Sequence, residues 1–347
     1  MARKGQEIKL SAKGNFVISL KISLPRIRLA YLPTPLEYLP RLSKYLGGPK
    51  IWIKRDDLTG PSFGGNKVRK LEFVMADALN KGSSVVITTG GVQSNHARAT
   101  AAVASKLGLK AVLVLRGKEP SEVSGNLLLD RLFGAEIRFF PVEREEIPAI
   151  MEEVADELRK KGEKPYIIPL GASYPIGAVG YANSVIEIHD QAREMGLKID
   201  WIVHAAGSGG TQAGLVFGTK VLKMDTKVLG ISMGPDAESL RRASLGIAEG
   251  ISGLLGLDVQ IGPQDFRVVD DYVEEGKISR RVVEAMKILA RTEGIMLDPV
   301  YTAKAMLGLI ELTRNGFFDA NENVLFIHTG GLPGLFAHGG ELSTFIP

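Results

Sequence analysis

The chain has 347 residues, 45% of them hydrophobic and 24% charged, with a formal net charge of +4. That is the balance of a globular protein with room for two domains. Basic and acidic residues are interleaved, which argues against a nucleic-acid footprint, and no run approaches the roughly 18 apolar residues of a membrane span. Cysteine is absent, so disulfides, thiolate metal sites and cysteine nucleophiles are excluded.

At the N-terminus, Asn15–Ile22 is broken by Ser19 and Lys21 and reads as a strand or a loosely ordered leader, not a signal peptide. From there, short β-branched runs alternate with segments of helical length. Strands are predicted over Lys50–Lys54, Ser84–Thr89, Ala111–Leu115, Ile137–Phe140, Tyr166–Pro169, Ile199–Ala206, Lys227–Met233 and Val324–Ile327. Amphipathic helical segments are predicted over Leu71–Leu79, Gln93–Leu107, Pro148–Lys160, Gly177–Met195 and Ser279–Arg291. Such alternation, with strands that are continuously apolar, predicts an α/β chain whose parallel sheets are covered by helices on both faces. Pro165, Pro169, Gly171 and Pro175 mark a crossing between halves.

Four polar turns follow predicted strands, where open parallel sheets bind ligands. The most informative is Gly207-Ser208-Gly209-Gly210-Thr211, which empties a buried strand into a helix. Its amides and hydroxyls suit an anion at a helix N-terminus, most often a phosphate. Gln212 stands where a dinucleotide fingerprint needs its third glycine, and no Gly-Lys-Ser/Thr follows as in a P-loop. The other turns are Ser62-Phe63-Gly64-Gly65-Asn66-Lys67, Gly90-Gly91 running into Gln93-Ser94-Asn95-His96, and His328-Thr329-Gly330-Gly331. A lysine, a phosphate cup and polar groups around them suit pyridoxal phosphate, which needs an amine for its aldehyde.

Taken in order and spacing, Gly64–Lys67, Gln93–His96, Gly207–Gly214 and Asp298-Pro299-Val300-Tyr301 resemble the 1-aminocyclopropane-1-carboxylate deaminase/D-cysteine desulfhydrase family. These are fold-type II pyridoxal-phosphate enzymes, related to the tryptophan synthase β-subunit. The resemblance runs from about Leu29 to the C-terminus. It implies a large cofactor-binding domain of residues 25–69 and 176–347, a small α/β domain inserted at 70–175, and a homodimer. Residues 1–24 then read as an N-terminal extension. A cytoplasmic location fits the lack of cysteine.

By resemblance, Lys67 carries the cofactor; Lys54 and Lys70 are nearby rivals, the first read as structural and the second as a helix residue. Ser94 and Asn95 suit helix capping on their own. In the resembling family the serine faces the substrate and shuttles a proton, and the asparagine contacts the ring's phenolic oxygen. Gln93 is expected at the substrate carboxylate, and Tyr301 in acid–base steps. Gly207, Ser208, Gly209, Gly210 and Thr211 are expected at the phosphate. Glu275 stands where the family carries a second tyrosine; either Tyr272 serves in its place from a shifted loop, or Glu275 faces the substrate side chain and the substrate preference differs.

Positions 302 and 329 choose between reactions. Both are threonine here, as in the desulfhydrase branch, whereas the deaminase branch resembles Glu and Leu. A carboxylate would keep the pyridine nitrogen protonated; the hydroxyls of Thr302 and Thr329 could only hydrogen-bond it. The weaker electron sink suffices for β-elimination from a substrate with an α-proton and a good leaving group. The expectation is therefore elimination from a small amino acid, D-cysteine foremost. L-cysteate sulfo-lyase, cyclopropane deaminase and a non-catalytic pyridoxal-phosphate binder are the alternatives. The five histidines lack metal-ligand spacing, and no metal is expected.

Overall fold

The apolar runs resolve into two separate parallel sheets. The computed structural model describes residues 24–272 and 278–346, together with the strands β1 (Glu7–Leu10) and β2 (Phe16–Ser19), which pair antiparallel. The remaining strands are β3 (Leu36–Tyr38), β4 (Lys50–Lys54), β5 (Val85–Gly91), β6 (Lys110–Arg116), β7 (Glu136–Phe140), β8 (Pro165–Ile168), β9 (Trp201–Ala206), β10 (Lys227–Ser232), β11 (Arg267–Val269) and β12 (Asn323–Ile327). One sheet has the order β11-β10-β9-β12-β4-β3, parallel except for the β3–β4 edge; the other has the order β7-β6-β5-β8 and is wholly parallel. The chain leaves the first sheet after β4 and returns to it at β9.

Strand β9 shows why these runs are continuously apolar. Trp201, Val203 and Ala205 pack into one core, while Ile202 packs into the other, across the sheet. Its neighbours obey the same alternation: Val324 and Phe326 face one way, Leu325 and Ile327 the other. Both faces are therefore buried, and every position of β9 is closed to solvent.

The helices are α1 (Pro40–Leu46), α2 (Asn66–Asn80), α3 (Asn95–Lys106), α4 (Gly125–Leu132), α5 (Ile147–Lys160), α6 (Pro175–Glu194), α7 (Gly210–Val221), α8 (Ala237–Leu255), α9 (Arg280–Glu293), α10 (Thr302–Arg314), α11 (Leu332–Ala337) and α12 (Gly339–Ser343). Two differences from the sequence reading bear on the site. The helix expected from Leu71 begins at Asn66, which puts Lys67 in a helical first turn, not in a loop. The edge strands β3 and β11 went unpredicted because three-residue strands carry too little alternation to register.

A buried ionic cluster locks the start of α2 to the larger sheet. Arg69 pairs with Asp56 at 2.7 Å and Glu187 at 2.9 Å, Lys54 pairs with Glu187 at 2.6 Å, and the Tyr181 hydroxyl donates to Asp56 at 2.6 Å. Lys54 is thus structural, as its place at a strand end suggested. Among the described residues, no helix is long and apolar enough to cross a membrane.

Candidate active site

The carboxyl ends of strands from both sheets converge on a cavity of about 680 Å³. Its lining includes Asn66 and Lys67 from α2, Ser94, Asn95 and His96 from α3, the turn Gly207–Gly209 with Thr211, and Tyr301, Thr329 and Gly330. Turns that are distant in sequence meet here because each ends a parallel strand.

Lys67 projects from the first turn of α2. Its Nζ donates to Asn66 Oδ1 at 3.1 Å, and Asn66 Nδ2 donates to Thr211 Oγ1 at 3.2 Å, so one asparagine ties the lysine to the glycine turn. Burial, and then the nearby Arg98 cation, bring the Lys67 amine down to about 8. A lysine that reaches its neutral form this readily is suited to carbonyl chemistry.

Gly210 opens α7, and a Cβ there would lie 2.7 Å from Ser173 Oγ and 2.9 Å from Lys70 Nζ. Lys70 is 1% exposed; its Nζ donates to the Gly171 carbonyl and the Ser173 hydroxyl, both at 3.2 Å, and no carboxylate pairs with it among the described residues. Ser173 and Ser208 share a hydrogen bond of 2.6 Å. Burial and the Lys67 charge hold the Lys70 amine well below its ordinary value. A buried amine without an acid, beneath a glycine turn at a helix N-terminus, is an environment in which a bound anion would favour the ammonium form. The sequence reading passed over Lys70; its spacing of three from Lys67, on one helical face, was the available signal.

On the opposite wall, Ser94 serves as N-cap of α3, its Oγ accepting from the Ala97 amide at 3.1 Å, and it also lines the cavity. Its hydroxyl proton remains free for a ligand, so the capping and functional readings coexist. Asn95 Oδ1 accepts from Asn126 Nδ2 at 2.9 Å, which leaves the Asn95 amide nitrogen as the group offered to a ligand. Tyr301 lines the cavity, with its phenol held above the ordinary value by burial and by Asp298.

Three expected residues are not brought to the cavity wall. Gln93 spends its amide on α4, donating to the Ser124 carbonyl at 3.0 Å and accepting from the Asn126 amide at 2.8 Å. Thr302 is fully buried, and its hydroxyl donates to Asp298 Oδ1 at 2.6 Å while accepting from the Asp298 amide at 2.8 Å. It closes the start of α10 and lies outside the cavity lining; Thr329 is the threonine on the wall. Gly210 lies behind the turn, where it admits Lys70 and Ser173. Glu275 falls outside the described residues.

The family model described as "Pyridoxal-phosphate dependent enzyme" matches residues 27–330. The chain belongs to that family. Within it, the chain is 46% identical to a Pyrococcus abyssi protein provisionally named a 1-aminocyclopropane-1-carboxylate deaminase, over 94% of this chain and 97% of that one. It is 42% identical to a D-cysteine desulfhydrase of Salmonella newport, over 90% of this chain and 96% of the relative. A crystal structure of a 1-aminocyclopropane-1-carboxylate deaminase homologue superposes with a TM-score of 0.86 at 45% identity, covering 93% and 97% of the two chains. The pyridoxal-phosphate enzymes of this deaminase/desulfhydrase group share the fold-type II architecture, and the cofactor is pyridoxal 5'-phosphate. The acid-free Lys70 and the close-packed Gly210 fit its phosphate.

Proposed function

We propose that this protein is a pyridoxal-phosphate lyase that eliminates thiolate from a small amino acid, with D-cysteine as the substrate. When bound, the cofactor supplies an electron sink for the charge left at the substrate α-carbon. Lys67 is the attachment lysine. The amides of 207–209 and the Ser208 and Thr211 hydroxyls would hold the phosphate, with Lys70 behind the turn supplying positive charge, and Asn95 and Thr329 would face the ring. Ser94 and Tyr301 flank the substrate. A base drawn from Lys67, or from Ser94 with Tyr301, takes the α-proton; the C–S bond breaks with its electrons leaving on sulfur. The released enamine hydrolyses in water, so D-cysteine and water become sulfide, pyruvate and ammonia.

One observation carries this choice over ring opening. Among the described residues that line the cavity, the only carboxylates are Glu145 and Asp236. Both are exposed, and Asp236 already accepts from the Ser239 amide. The nearby Asp298 is turned inward, accepting from the amides of Val300, Tyr301 and Thr302. Among the described residues no acid of the cavity lining is thus buried and free to keep a ring nitrogen protonated, and a modest sink serves a substrate with an acidic α-proton and a good leaving group. The rival reading, cyclopropane ring opening, draws on the provisional name of the Pyrococcus relative. The cofactor-loaded protein, given D-cysteine, L-cysteate and 1-aminocyclopropane-1-carboxylate separately, should release mainly sulfide. Dominant sulfite or 2-oxobutyrate would overturn the choice.

A further inference from the structure

Arg98 is 1% exposed on α3, and its guanidinium reaches back to the segment that precedes Lys67. Nη2 donates to the Gly64 carbonyl at 3.2 Å and Nη1 to the Ser62 hydroxyl at 3.3 Å. In that segment Ser62, Phe63, Gly64 and Gly65 all have positive φ, at 52°, 62°, 58° and 107°. Left-handed backbone is disfavoured for a non-glycine residue, so Ser62 and Phe63 need ties from outside the loop. Backbone bonds secure the far end, where Gly65 donates to the Asp56 carbonyl and Asn66 to the Thr329 carbonyl, each at 3.0 Å. The Arg98 fork secures the middle.

The charge on Arg98 is also only partly offset. Asp130 on α4 is the acid that acts on it, yet neither Asp130 carboxylate oxygen has a hydrogen-bond partner among the described residues, nor does Arg98 Nε. Among the described residues, Arg98 acts on the Lys67 amine, and Lys67 acts in turn on His96 of α3 and Lys70 of its own helix. None of these is a carboxylate, the carboxylates of the cavity lining, Glu145 and Asp236, are exposed, and Lys67 also sits at the positive end of the α2 dipole. We propose that Arg98 is a positioning residue for Lys67, seating the left-handed loop that presents the lysine and holding a buried guanidinium beside that loop. Carbonyl capture joins the lysine nitrogen to the aldehyde carbon and expels water, and only the neutral amine carries the lone pair required.

This inference rests on Lys67 being the attachment lysine, and the test separates the two. Full-length protein is stripped of cofactor, and the rate of pyridoxal 5'-phosphate capture is followed by visible absorbance from pH 6 to 10. Wild type should capture with a midpoint near 8. Arg98→Met should move the midpoint upward and slow capture at pH 7 about tenfold; Arg98→Lys, which keeps the charge, should restore the wild-type midpoint. Should Arg98→Met fail to fold, Asp130→Asn provides the second test, since removing that carboxylate should lower the midpoint. Slower capture at every pH with an unmoved midpoint, in whichever variant folds, would overturn the electrostatic role. A wild type that captures no cofactor at any pH overturns the Lys67 assignment instead.

Discussion

On the six-stranded side the cavity is lined by the glycine turn 207–209 ahead of α7, whose peptide amides have no side chain to screen them at Gly207 and Gly209. On the four-stranded side they are side chains, Ser94 and Asn95, aimed by a helix cap and by Asn126. The first wall depends on how closely the backbone can approach its neighbours; the second depends on individual hydroxyl and amide groups. Between them stands Lys67, linked to the glycine turn through Asn66. A cradle of amides should tolerate changes in polarity but not in bulk, whereas the opposite wall should respond to the loss of a single polar atom.

The largest effect is expected where the two walls meet. Lys67→Ala should abolish the visible absorbance band of the bound cofactor and lower turnover by about a thousandfold or more, measured by absorbance and product release. Next, Gly210→Val should break the amide wall by bulk alone, since its Cβ would collide with Ser173 and Lys70. Cofactor affinity, measured by titration, should fall about a hundredfold while the fold persists. Ser94→Ala sharpens the contrast on the other wall: it should cut kcat about 10- to 100-fold and also cost about 1 kcal/mol of stability through the lost cap, read by chemical unfolding.

Two smaller effects concern groups behind the walls. Burial holds Asp130 up to about 7, above an ordinary carboxylate. A carboxyl raised in the folded state supports the fold fully below its unfolded value near 4, and that support is lost as pH rises through about 7. Asp130→Asn should therefore flatten the stability profile between pH 4 and 7 and gain about 2 kcal/mol over wild type at pH 8, measured by urea unfolding. Thr302→Val should cost about 1–2 kcal/mol of stability, because Asp298 loses a donor, with cofactor affinity unchanged; a large loss of affinity would return Thr302 to the ring.

The sequence was most legible where function is carried by backbone. Glycines clustered after an apolar strand announce close approach, and the turn 207–211 stands where that pattern placed it. It was less legible where a polar side chain must choose between partners. Thr302 and Gln93 were sensible candidates by position, but in the fold one hydroxyl is consumed by Asp298 and one amide by α4. Lys70 was passed over for the reverse reason: a lysine on a helix is ordinarily solvated, and nothing local showed that this one would be buried without an acid.

By itself the sequence determined the alternation of strands and helices, the glycine turns at strand ends and the lysine beside them, because period and chain flexibility are local properties. Tertiary structure alone decided that the strands divide between two sheets, that Asn66 spans from Lys67 to Thr211, and that Arg98 acts on the lysine with its charge only partly compensated by Asp130. Those are outcomes of packing between elements far apart along the chain, where each buried polar group is satisfied or stranded by neighbours that no local pattern names.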